Sequence, residues 1–165
     1  MPVTLRKYTL NDLDELVKLG DNPNISKFMM NRFPSPYTKE KGVEFINHAL
    51  SHTPTQLMAI DLNGKFIGAI GVHPMDDVFS NNAEFGYWIG ETYWGNGYAT
   101  EAVKLMVDYV FSNFKITRIF LRIFSNNKAS LKLAEKTGFT LEAKFEKTIC
   151  KNGELLDEFI YAKRK

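Results

Sequence analysis

The apolar residues of this chain change their spacing several times, and each change predicts an element. VTLRKY (Val3–Tyr8) reads as a short strand. Leu13, Leu16 and Val17 then share one helical face, with Asn11 as a plausible N-cap and Gly20 as the stop. NPNISKFMMN supplies a second short helix, and the prolines of FPSPYT mark a turn. Thr38 can cap a third helix, from Lys39 to about His52, which groups Val43, Ile46, Ala49 and Leu50.

TQLMAIDLNGKFIGAIGVH is the clearest hairpin, because two apolar runs flank Asn63-Gly64, a dipeptide suited to a tight primed turn. NAEFGYWIG (Asn82–Gly90) is a further strand. A long helix from about Tyr98 to Phe114 carries Ala99, Ala102, Val103, Met106 and Val110 at helical spacing. TRIFLRIF (Thr117–Phe124) reads as apolar on both faces and therefore central in a sheet. NKASLKLAEKTGF is a helix opened by Asn127 and stopped by Gly138. LEAKFEKTI alternates Leu141, Ala143, Phe145 and Ile149, and Asn152-Gly153 turns the chain into the return strand LLDEFIYAK. The predicted order is β-α-α-α-β-β-β-α-β-α-β-β. Hairpins and helical crossovers are mixed, so the expectation is an α/β (α+β) fold with a mixed sheet, as one domain over residues 1–165.

Composition narrows the function classes. The chain has 165 residues and is 44% hydrophobic, enough for a core without covalent staples. Lys and Arg total 21 against 19 Asp and Glu, a net charge of +2, which is too small to argue for nucleic acid or a membrane surface. The lone Cys150 excludes an internal disulfide and disfavours a cysteine-based metal site, so no metal is expected. No apolar run reaches membrane-helix length, and the start lacks a basic-then-apolar signal layout; a cytoplasmic location is the simplest expectation.

The chemistry begins at YWGNGYATEA (Tyr93–Ala102). Gly95 and Gly97 remove side chains so that backbone N–H groups can approach an anion, and Ala99 keeps the first helical turn slim. A Walker loop needs Gly-Lys-Ser/Thr, which the chain lacks. A dinucleotide fingerprint needs a third glycine or alanine where Thr100 stands. An ordinary strand-to-helix turn remains open at this point.

AEFGYWIGETYWGNGYATEA (Ala83–Ala102) and NKASLKLAEKTGF (Asn127–Phe139) together resemble the GCN5-related N-acetyltransferase (GNAT) superfamily. FPSPYT and GYWIG look most like its branch containing the ribosomal-protein alanine N-acetyltransferases. The resemblance implies a single domain with a mixed, mostly antiparallel sheet, splayed at the cofactor site and with helices on both faces. It implies acetyl-coenzyme A as cosubstrate and an amine as acceptor. The pyrophosphate would sit on amides of Gly95, Asn96, Gly97, Tyr98, Ala99 and Thr100. The pantetheine would lie along Tyr87, Trp88 and Ile89, on a bulged strand. Asn127 would contact the pantetheine or order the splayed strand. Trp94 departs from the superfamily, which usually has Arg or Gln at that place.

Acetyl transfer to an amine needs a neutral amine, donors for the oxyanion, and a proton for the leaving thiolate. By resemblance Glu84 is the candidate base, with Glu142 as runner-up and Glu91 behind it. Many relatives place a tyrosine acid four residues before the glycine of the second block, where this chain has Ala134. Ser130, in the first turn of that helix, is the replacement candidate, and the resemblance also sets it among the cofactor-binding residues. A half-exposed salt-bridging glutamate and a helix-start serine are the structural alternatives for Glu84 and Ser130. The acceptor is read as a protein N-terminal α-amine, or else a polyamine, amino acid or aminoglycoside. A non-catalytic acyl-coenzyme A-binding module is the competing class. The oligomeric state stays open, with a homodimer compatible. His48 and His52 on one helix, His73 at a strand end, Asp76 and Asp77 in a loop, and Phe28, Phe33 and Tyr37 before the third helix are read mainly as structural.

Overall fold

The computed structural model describes residues 2–165. Its strands are β1 (Thr4–Arg6), β2 (Leu57–Leu62), β3 (Lys65–Pro74), β4 (Asn82–Ile89), β5 (Arg118–Phe124), β6 (Thr140–Lys151) and β7 (Glu154–Arg164). Its α-helices are α1 (Leu13–Gly20), α2 (Pro23–Ser26), α3 (Lys39–Leu50), α4 (Tyr98–Asn113) and α5 (Lys128–Lys136). The strands form one seven-stranded sheet in the order β1-β2-β3-β4-β5-β7-β6. It is mixed: β4 and β5 run parallel, whereas β1–β2, β2–β3, β5–β7 and β6–β7 are antiparallel. The predicted element order and mixed sheet are both found.

The chain divides into two compact units. The first comprises the residues up to Gly71 with Tyr87–Met106, and the second Val72–Gly86 with Val107–Lys165. In the first unit, Leu16, Ile46, Ala59, Phe66 and Trp88 lie in one buried cluster. An ion-pair knot closes its first strand. Arg6 binds the buried carboxylates of Asp12 (2.8 Å) and Asp61 (2.7 Å). In the second unit, β5 carries Ile119, Leu121 and Ile123 on a buried face, while Phe120, Ile160 and Ala162 make a smaller apolar cluster.

Turn chemistry follows the sequence. Asn63 and Gly64 take left-handed φ values of 55° and 83°, and Asn152 and Gly153 take 51° and 78°. Thr38 accepts from Lys41 N, and Asn127 from Ser130 N, at 3.3 Å in each case.

Four local readings need correction. Asn11 does not cap α1; it lies inside a 3₁₀ turn, Leu10–Asp12, whose Asp12 carboxylate accepts the Thr9 N–H at 2.9 Å. Gly20 is the last residue of α1, and its need is for space: a Cβ there would lie 2.8 Å from the Tyr37 ring. β5 is central as predicted, but only one of its faces is wholly apolar; the other presents Arg118, Phe120 and Arg122. On β6, Leu141 and Phe145 are exposed because that strand ends the sheet order.

The Arg6 knot predicts an acid-sensitive component of stability. Burial pushes the Asp12 carboxyl up, but the Arg6 guanidinium and the Thr9 N–H outweigh it and hold it below its ordinary value. A depressed folded-state value gives stability that is present above the unfolded value, near ~3.9, and is lost as pH falls below it. Asp12→Asn is expected to cost about 1–3 kcal/mol near neutral pH, with the penalty shrinking below about pH 4. Urea unfolding of both proteins at pH 7 and pH 3 checks this.

Candidate active site

The Gly-rich turn lies in the first unit, between β4 and α4. Gly95 and Gly97 have φ of 77° and 80°, the left-handed region that glycine enters without strain. A Cβ built on either would meet nothing within 4 Å, so open space faces both residues. Gly97 O accepts from Glu101 N at 3.1 Å, so α4 starts immediately after the turn. The first N–H groups of a helix have no intrahelical acceptor and carry the positive end of its dipole. Tyr98, Ala99 and Thr100 supply that first turn and are all half-buried. The arrangement fits a phosphate-bearing ligand.

Two side chains brace the turn. Asn96 Nδ2 donates to Tyr93 O (3.2 Å) and Trp94 O (3.0 Å), so its amide is directed into the loop. Trp94 Nε1 donates to Ile89 O at 2.7 Å, tying the turn to the end of β4. This gives Trp94 a physical role that its identity alone did not indicate. Ile89 is buried, and the Trp88 ring packs edge-on against Phe33 and Phe66, both at 5.9 Å. The side chains of Trp88 and Ile89 therefore belong to the core, and it is their backbone that remains for a ligand. Tyr87 is half-buried. Gly68 was missed from sequence: a Cβ there would lie 2.3 Å from Trp88 O, so β3 approaches this strand closely only with glycine.

The second unit holds the candidate acid and base. Glu84 is on β4, opposite Phe120 of β5. β4–β5 pairing is confined to Asn82–Glu84 against Arg118–Phe120, whereas β5 pairs with β7 as far as Phe124. Glu84 Oε1 lies 3.6 Å from Arg122 Nε, and Arg122 Nη1 donates to Glu158 Oε1 at 2.7 Å. The guanidinium groups of Arg118 and Arg122 stand over Phe120, at 4.9 and 5.5 Å from its ring centre. Arg122 and Glu158 escaped sequence reading because their partners are far away in the chain. Arg122 also stood within a strand read as apolar on both faces.

The rival carboxylates are occupied. Glu142 is clamped by Arg118 (2.7 Å) and Arg164, and these arginines hold it below its ordinary value. Glu91 accepts from Asn22 (2.6 Å) and Asn24 (3.0 Å), which lower it in the same way. Ser130 is half-buried in the first turn of α5, its N–H held by the Asn127 cap. Ala134 is fully buried, so the place of the usual tyrosine is a packing position here. Phe33 and Tyr37 are packed together at 5.5 Å. His48 and His52 stack edge-on at 4.7 Å, and no cluster of three or more metal-ligating side chains exists among the described residues. No helix among them is long and apolar enough to cross a membrane.

Comparison with known proteins places these features in context. The family profile described as an acetyltransferase (GNAT) domain matches residues 3–140. The uncharacterized N-acetyltransferase p20 of Bacillus licheniformis is 28% identical over 97% of this chain and 91% of its own length. The spermidine N(1)-acetyltransferase of Escherichia coli K12 is 28% identical over 95% of this chain and 77% of its own. Among solved structures, RimL, the ribosomal L7/L12 α-N-protein acetyltransferase in complex with coenzyme A, superposes with a TM-score of 0.84. It is 19% identical and covers 99% of this chain and 94% of its own.

The turn geometry makes its own prediction. Because the space beside Gly95 and Gly97 is open, alanine there is expected to cost only the left-handed backbone penalty, about 1–2 kcal/mol each. Trp94→Phe, which removes the donor to Ile89 O, is expected to cost about 1 kcal/mol. Equilibrium urea unfolding checks all three.

Proposed function

This chain belongs to the GNAT family and is an N-acetyltransferase, and from that premise we propose that it moves an acetyl group from acetyl-coenzyme A to a primary amine in a ternary complex. The observation that carries the cosubstrate is the pair of left-handed glycines opening α4, with unfilled space beside both. Backbone amides of Gly95 to Thr100 would hold the pyrophosphate. The backbone of Tyr87, Trp88 and Ile89 would pair with the pantetheine amides as an added strand does.

In the transfer, the amine nitrogen attacks the thioester carbonyl carbon. A C–N bond forms, the C–S bond breaks, and coenzyme A leaves as the thiol. The amine's proton passes to Glu84, directly or through water. The departing sulfur takes a proton from water, directly or relayed through the Ser130 hydroxyl, which receives one from water as it gives one up. Glu84 is preferred over Glu142 and Glu91 because both rivals accept from two side-chain donors. The cation paired with it, Arg122, is engaged more closely by Glu158.

We place a protein N-terminal α-amine first among acceptors. Such an amine has a pKa near ~8, so a substantial fraction is already neutral near pH 7.5, whereas about one alkylamine in a thousand is. A carboxylate base is adequate for the former. Charge balance agrees: on this part of the second unit Glu84, Glu142 and Glu158 are matched by Arg118, Arg122 and Arg164. A polycation would find no surplus of carboxylates there. The likeness to a spermidine acetyltransferase over most of both chains favours the second reading, a polyamine.

Thiol release from acetyl-coenzyme A, measured with N-terminal peptides, their Nα-blocked forms, spermidine and free amino acids, tests this. Release is expected with unblocked peptides and not with blocked ones. Release with spermidine alone would replace the first reading by the second. Glu84→Gln is expected to lower kcat about 10²-fold with coenzyme A affinity unchanged, and Ser130→Ala to lower kcat about tenfold. Gly97→Ala is expected to weaken coenzyme A binding by about tenfold. Gly153→Ala, at a similar φ in the β6–β7 turn, should leave that affinity unaltered.

A further inference from the structure

Glu84 is flanked within the second unit from two neighbouring strands. Met75 N donates to Asn82 O at 2.9 Å. β3 is the other neighbour of β4, and an unbroken antiparallel count inward from that bond would set His73 across from Glu84 and Val72 across from Phe85. Val72 and Phe85 are buried, while His73 is exposed and Glu84 half-buried. From β5 comes Arg122, with Nε 3.6 Å from Glu84 Oε1. Arg118 is directed elsewhere, to Asn82 (3.0 Å) and to Glu142, which also binds Arg164.

The position of Arg122 is fixed by a third strand. Glu158 of β7 accepts from Arg122 Nη1 at 2.7 Å through Oε1, and from Thr148 Oγ1 at 3.0 Å through Oε2. Thr148 reaches Glu158 because β6 is irregular there. Its pairing with β7 shifts between Phe145 and Ile149, Lys147 takes a left-handed φ of 51°, and Lys147 N donates to Asp157 at 3.0 Å. The Phe120 ring lies beneath the guanidinium.

We propose that Glu158 is a positioning residue for acetyl transfer, which holds the Arg122 guanidinium off Glu84 and so preserves the basicity of Glu84. The proposal rests on Glu84 being the base. The contrast in distance carries it: Arg122 is at hydrogen-bond length from Glu158 and beyond it from Glu84. A guanidinium that closed on Glu84 would favour the carboxylate and make it a weaker proton acceptor. Loss of the Glu158 charge acts in the same direction, because it removes a nearby like charge. Thr148 and the β6 irregularity keep Glu158 aimed at Arg122.

The experiment combines two readouts. The first is titration of the Glu84 side-chain carboxyl by ¹³C NMR, assigned by its loss in Glu84→Gln. The second is the acid limb of kcat/KM against pH, with one fixed acceptor peptide. Glu158→Gln is expected to move both downward by at least about half a pH unit, and Arg122→Gln to move both upward. Thr148→Val should give a smaller downward shift, and serves if Glu158→Gln fails to fold. If Glu158→Gln and Thr148→Val leave the Glu84 titration in place, the positioning role is overturned while the base assignment stands. If the titration moves but Glu84→Gln keeps full turnover and an unchanged limb, the base assignment falls, and the positioning role with it.

Discussion

The parallel ladder between β4 and β5 pairs Asn82–Glu84 with Arg118–Phe120, and the surroundings of Glu84 are built on it. Buried backbone N–H and C=O groups must find partners. β5 solves this by continuing along β7 to Phe124. β4 runs on to Ile89 as the neighbour of β3; at its end the Ile89 carbonyl is taken by the Trp94 indole at 2.7 Å, and the Gly90 N–H by Ile67 O at 2.9 Å.

The Gly-rich turn depends on the same strand end. Trp94 can reach Ile89 O because the chain reverses through the short 3₁₀ segment Glu91–Tyr93, whose turns close from Tyr93 N to Gly90 O and from Trp94 N to Glu91 O. Asn96 then takes two carbonyls of the reversal. With its side chains engaged internally, the turn presents glycine backbone outward, as an anion cradle requires. A polar residue in place of Trp94 would offer one contact to a ligand; the indole instead rigidifies the backbone that would make several.

Local elements were legible where a short-range rule determines them. Asn63-Gly64 and Asn152-Gly153 adopt the left-handed turns that their identities demand, and Thr38 and Asn127 cap the helices that follow them. The family followed from two motifs, and the glycine conformations agree with the use proposed for the first. What stayed hidden depends on partners distant in sequence. Gly20 serves Tyr37, Gly68 serves the Trp88 carbonyl, and Arg122 serves Glu158, 36 residues on. Asn11 was read as a cap, and the Asp12 role stayed hidden, because the Arg6 knot that recruits Asp12 involves Asp61, on a strand not adjacent in sequence.

The buried Ala134 bears on how the leaving thiolate would be protonated. A tyrosine at a fully buried position would have to displace its neighbours, and overpacking a core of this kind is itself destabilising. The substitution is therefore built into the packing of α5, not a loss at an otherwise ready site. Tyr161 shows where a buried hydroxyl of this unit does go: its OH donates to Glu135 at 3.0 Å, an engagement that raises its pKa together with burial. A phenol so committed is poorly suited to give up its proton to sulfur. A thiolate is a far weaker base than an alkoxide, so its departure makes a smaller demand on an acid than the amine makes on a base. In the proposed mechanism a water, or water relayed through Ser130, meets that demand. The base side has less slack, and there this chain surrounds one lightly paired carboxylate, Glu84, with arginines that are each drawn toward another acid.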